Sequence, residues 1–153
     1  MGQHAARQFL SRGHRRLAVV GPEMDKAGDV RTLEAFRAAC AQTPSAQVIK
    51  IGHDGTPEGI QRCLAAMLKK PLPTGLLVAQ PRNLLTVMSF LARRGVNVPR
   101  DISIISRDSE SFLDFLVPLP ARYVVAPQPL PANSPISCAK WRVASPWLHA
   151  ASS

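Results

Sequence analysis

The chain has 153 residues, enough for one domain with a real core. Apolar residues make up 46% and aromatics 5%, no apolar run reaches membrane-spanning length, and no basic-then-apolar leader opens the sequence, so a reduced, cytoplasmic, soluble protein is expected. The formal charge is +9. No helix-turn-helix, zinc-finger or aromatic-stacking pattern accompanies that excess, so it reads as Arg-rich helix faces and an acid-free tail rather than a nucleic-acid footprint.

In chain order, residues 3–12 read as a helix with Ala6, Phe9 and Leu10 on one face and Gly13 as its C-cap. Leu17–Val20 is a strand closed by Gly21-Pro22, and the polar loop 23–29 leads to a helix from about Asp29, its expected N-cap, to Gln42. Val30, Leu33, Phe36, Ala39 and Cys40 form the inward stripe of that helix. Val48–Ile51 is a second strand. Thr56 caps a third helix and Pro57 takes its first position, where a missing N–H costs nothing. Pro71 and Pro73 end it. Leu76–Ala79 is a third strand, followed by a helix over 82–94 that ends on Arg93, Arg94 and a left-handed Gly95. Pro99 forbids a return to helix, and Ile102–Ile105 is a short, β-branched strand of the kind buried on both faces. A helical turn near 109–116 precedes an expected edge strand at 122–125. The alternation predicts an α/β fold, a parallel sheet with helices on both faces, over residues 1–125. Residues 126–153 are Pro-rich and without periodicity, and are read as an irregular tail.

No catalytic constellation emerges. His4, His14, His53 and His149 share no ligand spacing, and Cys40, Cys63 and Cys138 form no C-x-x-C, so neither a metal nor any other cofactor is expected. His14 reads as a structural hydrogen-bonding residue and His53 as part of a solvated turn. The strand at 102–105 delivers Arg107-Asp108 to its carboxyl end, where open parallel sheets bind ligands.

The segment from Gly95 through Val98-Pro99 and Asp101-Ile102-Ser103 to Asp108 resembles the strand-and-site segment of the lactose/galactose-repressor family. Gly13-His14-Arg15-Arg16-Leu17-Ala18 is similar to the family's "GHRRIA" strand, Arg31 with Phe36 to its "R-x-x-G-F" helix start, and Pro73-Thr74-Gly75 to its "PTA" strand. The likeness covers roughly residues 3–125. It implies a lobe of a periplasmic-binding-protein-like effector domain, the second of two, with the first lobe and the DNA-binding helix-turn-helix outside these residues and a premature or shifted C-terminus after Val125. It also implies a cleft at the carboxyl edge that takes a small polar, sugar-like metabolite, with Arg31, Gln80 and Asp108 touching it and Asp29 and Arg107 nearby.

Gln80-Pro81 departs from the family's usual polar pair, and Arg107 stands where an aromatic or small residue is usual, next to the Asp108 it is placed to neutralise. A charged or unusual ligand fits these departures better than a neutral sugar. Homodimerisation follows from the resemblance, and an exposed two-fold patch of Leu84, Val87, Phe112 and Phe115 is expected, because Leu85, Met88, Leu91 and Ala92 fit a core stripe by spacing. The leading expectation is therefore a ligand-sensing, repressor-like module. A remnant that folds and binds nothing is the alternative, and a small α/β enzyme the third.

Overall fold

The computed structural model describes residues 1–23, 27–125 and a strand at 141–144. The elements are α1 (Gly2–Leu10), β1 (Arg16–Pro22), α2 (Ala27–Ala41), β2 (Gln47–His53), α3 (Pro57–Leu68), β3 (Gly75–Val78), α4 (Pro81–Arg93), β4 (Ser103–Ser106), a 3-10 turn (Ser111–Phe115), β5 (Ala121–Val125) and β6 (Trp141–Ala144). They form one sheet in the order β2-β1-β3-β4-β5-β6. The first five strands are parallel, and β6 runs antiparallel to β5. From β1 the chain winds outward to β2, then crosses back to β3 on the other side. Between β1 and β3 lies the topological switch point, where α/β sheets open a crevice at their carboxyl edge.

Alternate residues of each central strand feed two separate cores. Ala18, Val20, Leu76, Val78 and Ile104 pack with Ile60, Leu64 and Met67 of α3 and Leu84, Val87 and Leu91 of α4. Leu17, Val19, Leu77 and Ile105 pack with Ala5, Ala6 and Phe9 of α1 and Leu33, Phe36 and Cys40 of α2. Every residue of Leu17–Val20, Leu76–Ala79 and Ile102–Ile105 is at most 5% exposed, as their apolar character, interrupted only by Ser103, requires in a sheet covered on both sides. Each buried leucine or isoleucine here contributes roughly 1.5–3 kcal/mol relative to exposure.

Local signals work as read. Thr56 Oγ1 accepts from the Gly59 N–H at 3.0 Å, with Pro57 at the first helical position. Gly95, at φ 72°, directly follows the C-cap of α4 as expected, whereas α1 ends earlier than expected, at Leu10 with Ser11 as its C-cap, and Gly13, at φ 86°, turns the chain two residues later. His14 Nδ1 meets Thr74 Oγ1 at 3.0 Å, stitching the entries of β1 and β3.

Four expectations are corrected. The core stripe of α4 is Leu84, Val87 and Leu91, all fully buried, while Leu85 is 45% exposed and Ala92 is exposed. Leu84 and Val87 therefore cannot belong to a surface patch. Leu84 and Leu85, like Val87 and Met88, are adjacent apolar pairs, so either of two stripes about 100° apart satisfied the spacing. Second, residues 141–144 of the segment read as irregular form β6, so β5 has a neighbour on each side and is not an edge. Third, α2 starts two residues before Asp29, which sits in its first turn rather than capping it, and Val30 is 37% exposed. Fourth, His53 is buried, not in a solvated turn. His149 and Cys138 lie outside the described residues.

Candidate functional site

Three chain segments converge at the carboxyl edge beside the switch point. After β1 the chain enters α2, whose first turn carries Gly28 and Asp29. After β3, Ala79 N–H donates to Val20 O at 2.9 Å, and Gln80 then occupies the N-cap of α4 with Pro81 at its first position. After β4, Arg107 N–H donates to Val78 O at 2.9 Å, which extends the ladder one residue and fixes where the Arg107 side chain departs. These backbone bonds hold the three loops at neighbouring strand ends.

They enclose a hollow of about 450 Å³ lined by Gly28, Asp29, Gln80, Pro81, Arg82, Arg107 and Glu110. Arg107 dominates it. Its Nη1 donates to Asp29 Oδ1, and its Nε donates to Asp108 Oδ2 at 3.0 Å. The Arg107 and Asp29 side chains are only 17% and 7% exposed, whereas that of Asp108 is 39% exposed. Burial works against the Arg107 charge, but the hydrogen bonds to Asp29 and Asp108 outweigh it and hold the guanidinium above its ordinary pKa. The rigid fork of donors suits this double engagement, which a lysine ammonium would not reproduce. Ser106 Oγ donates to the Asp108 carbonyl at 2.8 Å and sets the turn that aims its side chain.

On the other wall, Gln80 Oε1 accepts from Arg82 Nη2 at 2.9 Å and from Nε at 3.2 Å. At the end of β2 and the start of α4, His53 and Asn83 are buried side by side, with their side-chain nitrogens 3.1 Å apart, and His53 Nδ1 accepts from the Gly55 N–H at 3.0 Å. Desolvation lowers the His53 pKa; Asp54 and Glu23 pull it up, and Arg82 pushes it further down. Among the described residues, no cluster of three or more His, Cys, Asp or Glu is placed to hold a metal ion.

Of the expected site residues, Asp29, Gln80 and Arg107 line the hollow together, and Asp108 joins them through Arg107. Arg31 does not join them: it is exposed on α2 and is not part of the lining. It lies five residues before Phe36, whereas the arginine of an R-x-x-G-F motif precedes its aromatic by four, and one helical position is a turn of about 100°. Thr32 holds the four-residue position, its Oγ1 donating to Gly28 O at 2.8 Å. Sequence reasoning did not single out Gly28, Arg82, Glu110 or Asn83. Pro81 and Arg82 were legible as the first turn of a helix leaving a strand's carboxyl end, but Asn83 carries no local signal for its contact with His53.

The fold has known counterparts. A solved LacI family transcriptional regulator from Enterococcus faecium with bound ribose aligns with a TM-score of 0.70 and 26% identity, over 84% of this chain and 47% of that one. A LacI family regulator from Burkhoderia phymatum aligns with a TM-score of 0.70 and 27% identity, over 80% and 46%. The HTH-type transcriptional repressor PurR of Vibrio atlanticus is 24% identical over 124 residues, 76% of this chain and 36% of the repressor. The chain thus spans about a third of that repressor's length and under half of the solved regulators. The periplasmic binding protein-like domain matches residues 6–129, and the chain belongs to that family.

Proposed function

We propose that the chain is a ligand-sensing lobe of a repressor-like transcription regulator, binding a small polar metabolite at the carboxyl-edge hollow. The observation that carries this is the convergence of Asp29, Gln80 and Arg107 on one hollow at the switch point, with Asp108 held at its side by Arg107. Asp108 and Gln80 supply acceptors and an amide for hydroxyls. Arg82 and Glu110 add one charge of each sign to the lining. That mixture suits a sugar-like ligand bearing a charged group better than a plain neutral sugar. Control of DNA runs through a part of the regulator outside these residues, by a shift between open and closed lobe pairs that the ligand bridges.

Pairing of two chains belongs to the same reading, on a surface that keeps Phe115 of the expected patch but not the buried Leu84 and Val87 or Phe112, which packs partly buried against the core. Leu85, Met88, Ala92, Val96, Leu116 and Val117 line an apolar groove between α4 and the segment after the 3-10 turn. Phe115 and Val117 beside it are 85% and 94% exposed. Exposed apolar residues in this number on one face mark a contact surface.

One observation favours the alternative of a lobe that binds nothing: Arg107 already satisfies both carboxylates, so the site is closed on itself. Thermal denaturation in the presence of pentoses including ribose, hexoses, sugar acids and sugar phosphates separates the two. A ligand at a hundredfold its Kd stabilises by about 2.7 kcal/mol. A rise in Tm with one class, abolished by Gln80→Ala, supports binding at the hollow. No shift with any class at millimolar concentration supports the inert lobe.

A further inference from the structure

In a parallel sheet with helical crossovers, helix C-termini and strand N-termini share one edge, and strand C-termini and helix N-termini share the other. Charge is unevenly distributed along that axis. At the carboxyl edge the acids Asp29, Asp54, Glu58, Asp108 and Glu110 are offset in part by Arg62, Arg82 and Arg107. The amino edge carries exposed cations in three connections: Arg15 and Arg16 entering β1, Lys69 and Lys70 before β3, Arg93 and Arg100 before β4. β1, β3 and β4 are consecutive in the sheet, so the three connections lie side by side over roughly 10 Å. The backbone confirms their adjacency. Thr74 N–H donates to Arg16 O at 2.8 Å, Ser103 N–H donates to Thr74 O at 2.8 Å, and Arg16 Nε donates to Leu72 O at 3.0 Å.

Helix dipoles account for part of this. The three helices ending here present about half a negative charge each, which favours cations in their last turns. Asp101 adds one acid, held by the Asn97 N–H at 2.7 Å and facing Arg100 at 3.3 Å. Together these offset fewer than half of the six cations. The remainder is an uncompensated positive strip on the edge farthest from the ligand hollow.

We propose that this amino edge is a sequence-independent contact for the phosphate backbone of duplex nucleic acid. This goes beyond the ligand-sensing reading and does not depend on it. A strip of about 10 Å faces roughly six duplex charges. Guanidinium groups dominate it, and their forked donors match phosphate oxygens. The three connections hold no Phe, Tyr or Trp and their His14 is buried, so bases of a single strand have nothing to stack on. Lys70 also lines a hollow with Ile49, Ile51 and Met67, and Arg93 one with Leu85 and Phe90, so an acidic peptide is the competing occupant that polyglutamate tests.

The test is fluorescence anisotropy of the full chain with a labelled random-sequence duplex of 24 base pairs, from 50 to 200 mM salt. Contact with four phosphates should weaken binding about a hundredfold over that range. Lys69→Glu with Arg93→Glu should lower affinity at least tenfold at 50 mM salt, and Lys69→Arg with Arg93→Lys should retain it. Arg31→Glu with Arg62→Glu changes the net charge equally away from the strip and should cost less than threefold. Circular dichroism checks that each variant is folded. The proposal is overturned by absence of wild-type binding at 50 mM salt, by equal losses in the two charge-reversal pairs, or by polyglutamate of matched charge competing as well as unlabelled duplex.

Discussion

Arg107 Nη1 donates to Asp29 Oδ1 across 78 residues of sequence, tying the end of β4 to the first turn of α2. The same guanidinium holds Asp108 on its other side. Asp29 is almost fully enclosed, so the pair is costly to break from one end. Arg107→Met leaves the Asp29 carboxylate buried without its counter-ion and should destabilise the fold by about 3 kcal/mol in urea titration. Arg107→Met combined with Asp29→Leu removes both charges and should recover most of that loss. Equal losses in the single and double variants would mean that the pair is not coupled.

Ligand contacts are expected to follow the hollow. Gln80→Ala and Asp108→Ala should each weaken binding of the stabilising metabolite more than tenfold by calorimetry, about 1.4 kcal/mol. Arg31→Ala, on the exposed side of α2, should stay within threefold. A large Arg31 effect would show that the side chain swings over the hollow when ligand is present.

His53 gives the fold a pH dependence with a definite sign. Its pKa is lowered in the folded chain, first by desolvation, so the unfolded chain binds more protons as pH falls. The contribution is fully present above the unfolded value of about 6.5 and is lost progressively as pH drops through the lower folded value. Urea midpoints should therefore fall as pH is lowered below about 6.5. His4 is also lowered, by burial and by the charges of the N-terminus and Arg7, and acts in the same direction. His53→Gln should flatten the slope, and a variant as steep as wild type would assign it to other groups.

Pairing through the α4 groove predicts a concentration-dependent dimer in sedimentation. Leu85→Lys with Val117→Lys should give a monomer without loss of stability, because both side chains are exposed. Leu84→Lys should instead unfold the chain, since Leu84 is fully buried. A wild type that remains monomeric at all concentrations removes the groove as a pairing surface.

Gly75 of β3 lies against Leu17 of β1 and Phe9 of α1. A Cβ there would meet Leu17 Cδ2 at 2.6 Å and Phe9 Cδ1 at 2.7 Å. Gly75→Ala should cost about 1–3 kcal/mol by chemical denaturation, the usual range for overpacking. A smaller loss would show that the Phe9 ring yields.

What was legible in the sequence was what local chemistry decides. Leu17–Val20 and Leu76–Ala79 announce buried strands because they contain nothing polar, and Thr56-Pro57 and Gly95 announce helix ends through backbone constraints. Arg107 beside Asp108 was legible as an ion pair because the two are adjacent. The link to Asp29 was not, because nothing local records a contact made 78 residues away. The face of α4 was ambiguous for a different reason: adjacent apolar residues satisfy two stripes, and only the sheet decides between them. β6 was missed because prolines on either side dominated the composition, although Trp141-Arg142-Val143 does alternate apolar and polar as a strand can.

The two cores meeting on β1 carry a consequence for how this chain tolerates change. A strand with one wet face has its register fixed by polarity, since a slip of one residue would bring apolar groups into water. β1 lacks that safeguard between Leu17 and Val20, where both faces are apolar. Its register depends on volume instead: Leu17 and Val19 fill the α1–α2 side, Ala18 and Val20 the α3–α4 side. Exchanging Leu17 with Ala18 would leave composition and mean hydropathy untouched, yet would put a void in one layer and a clash in the other. Evolution can therefore vary the hydrophobic identity of this strand only by trading size between the two sides together.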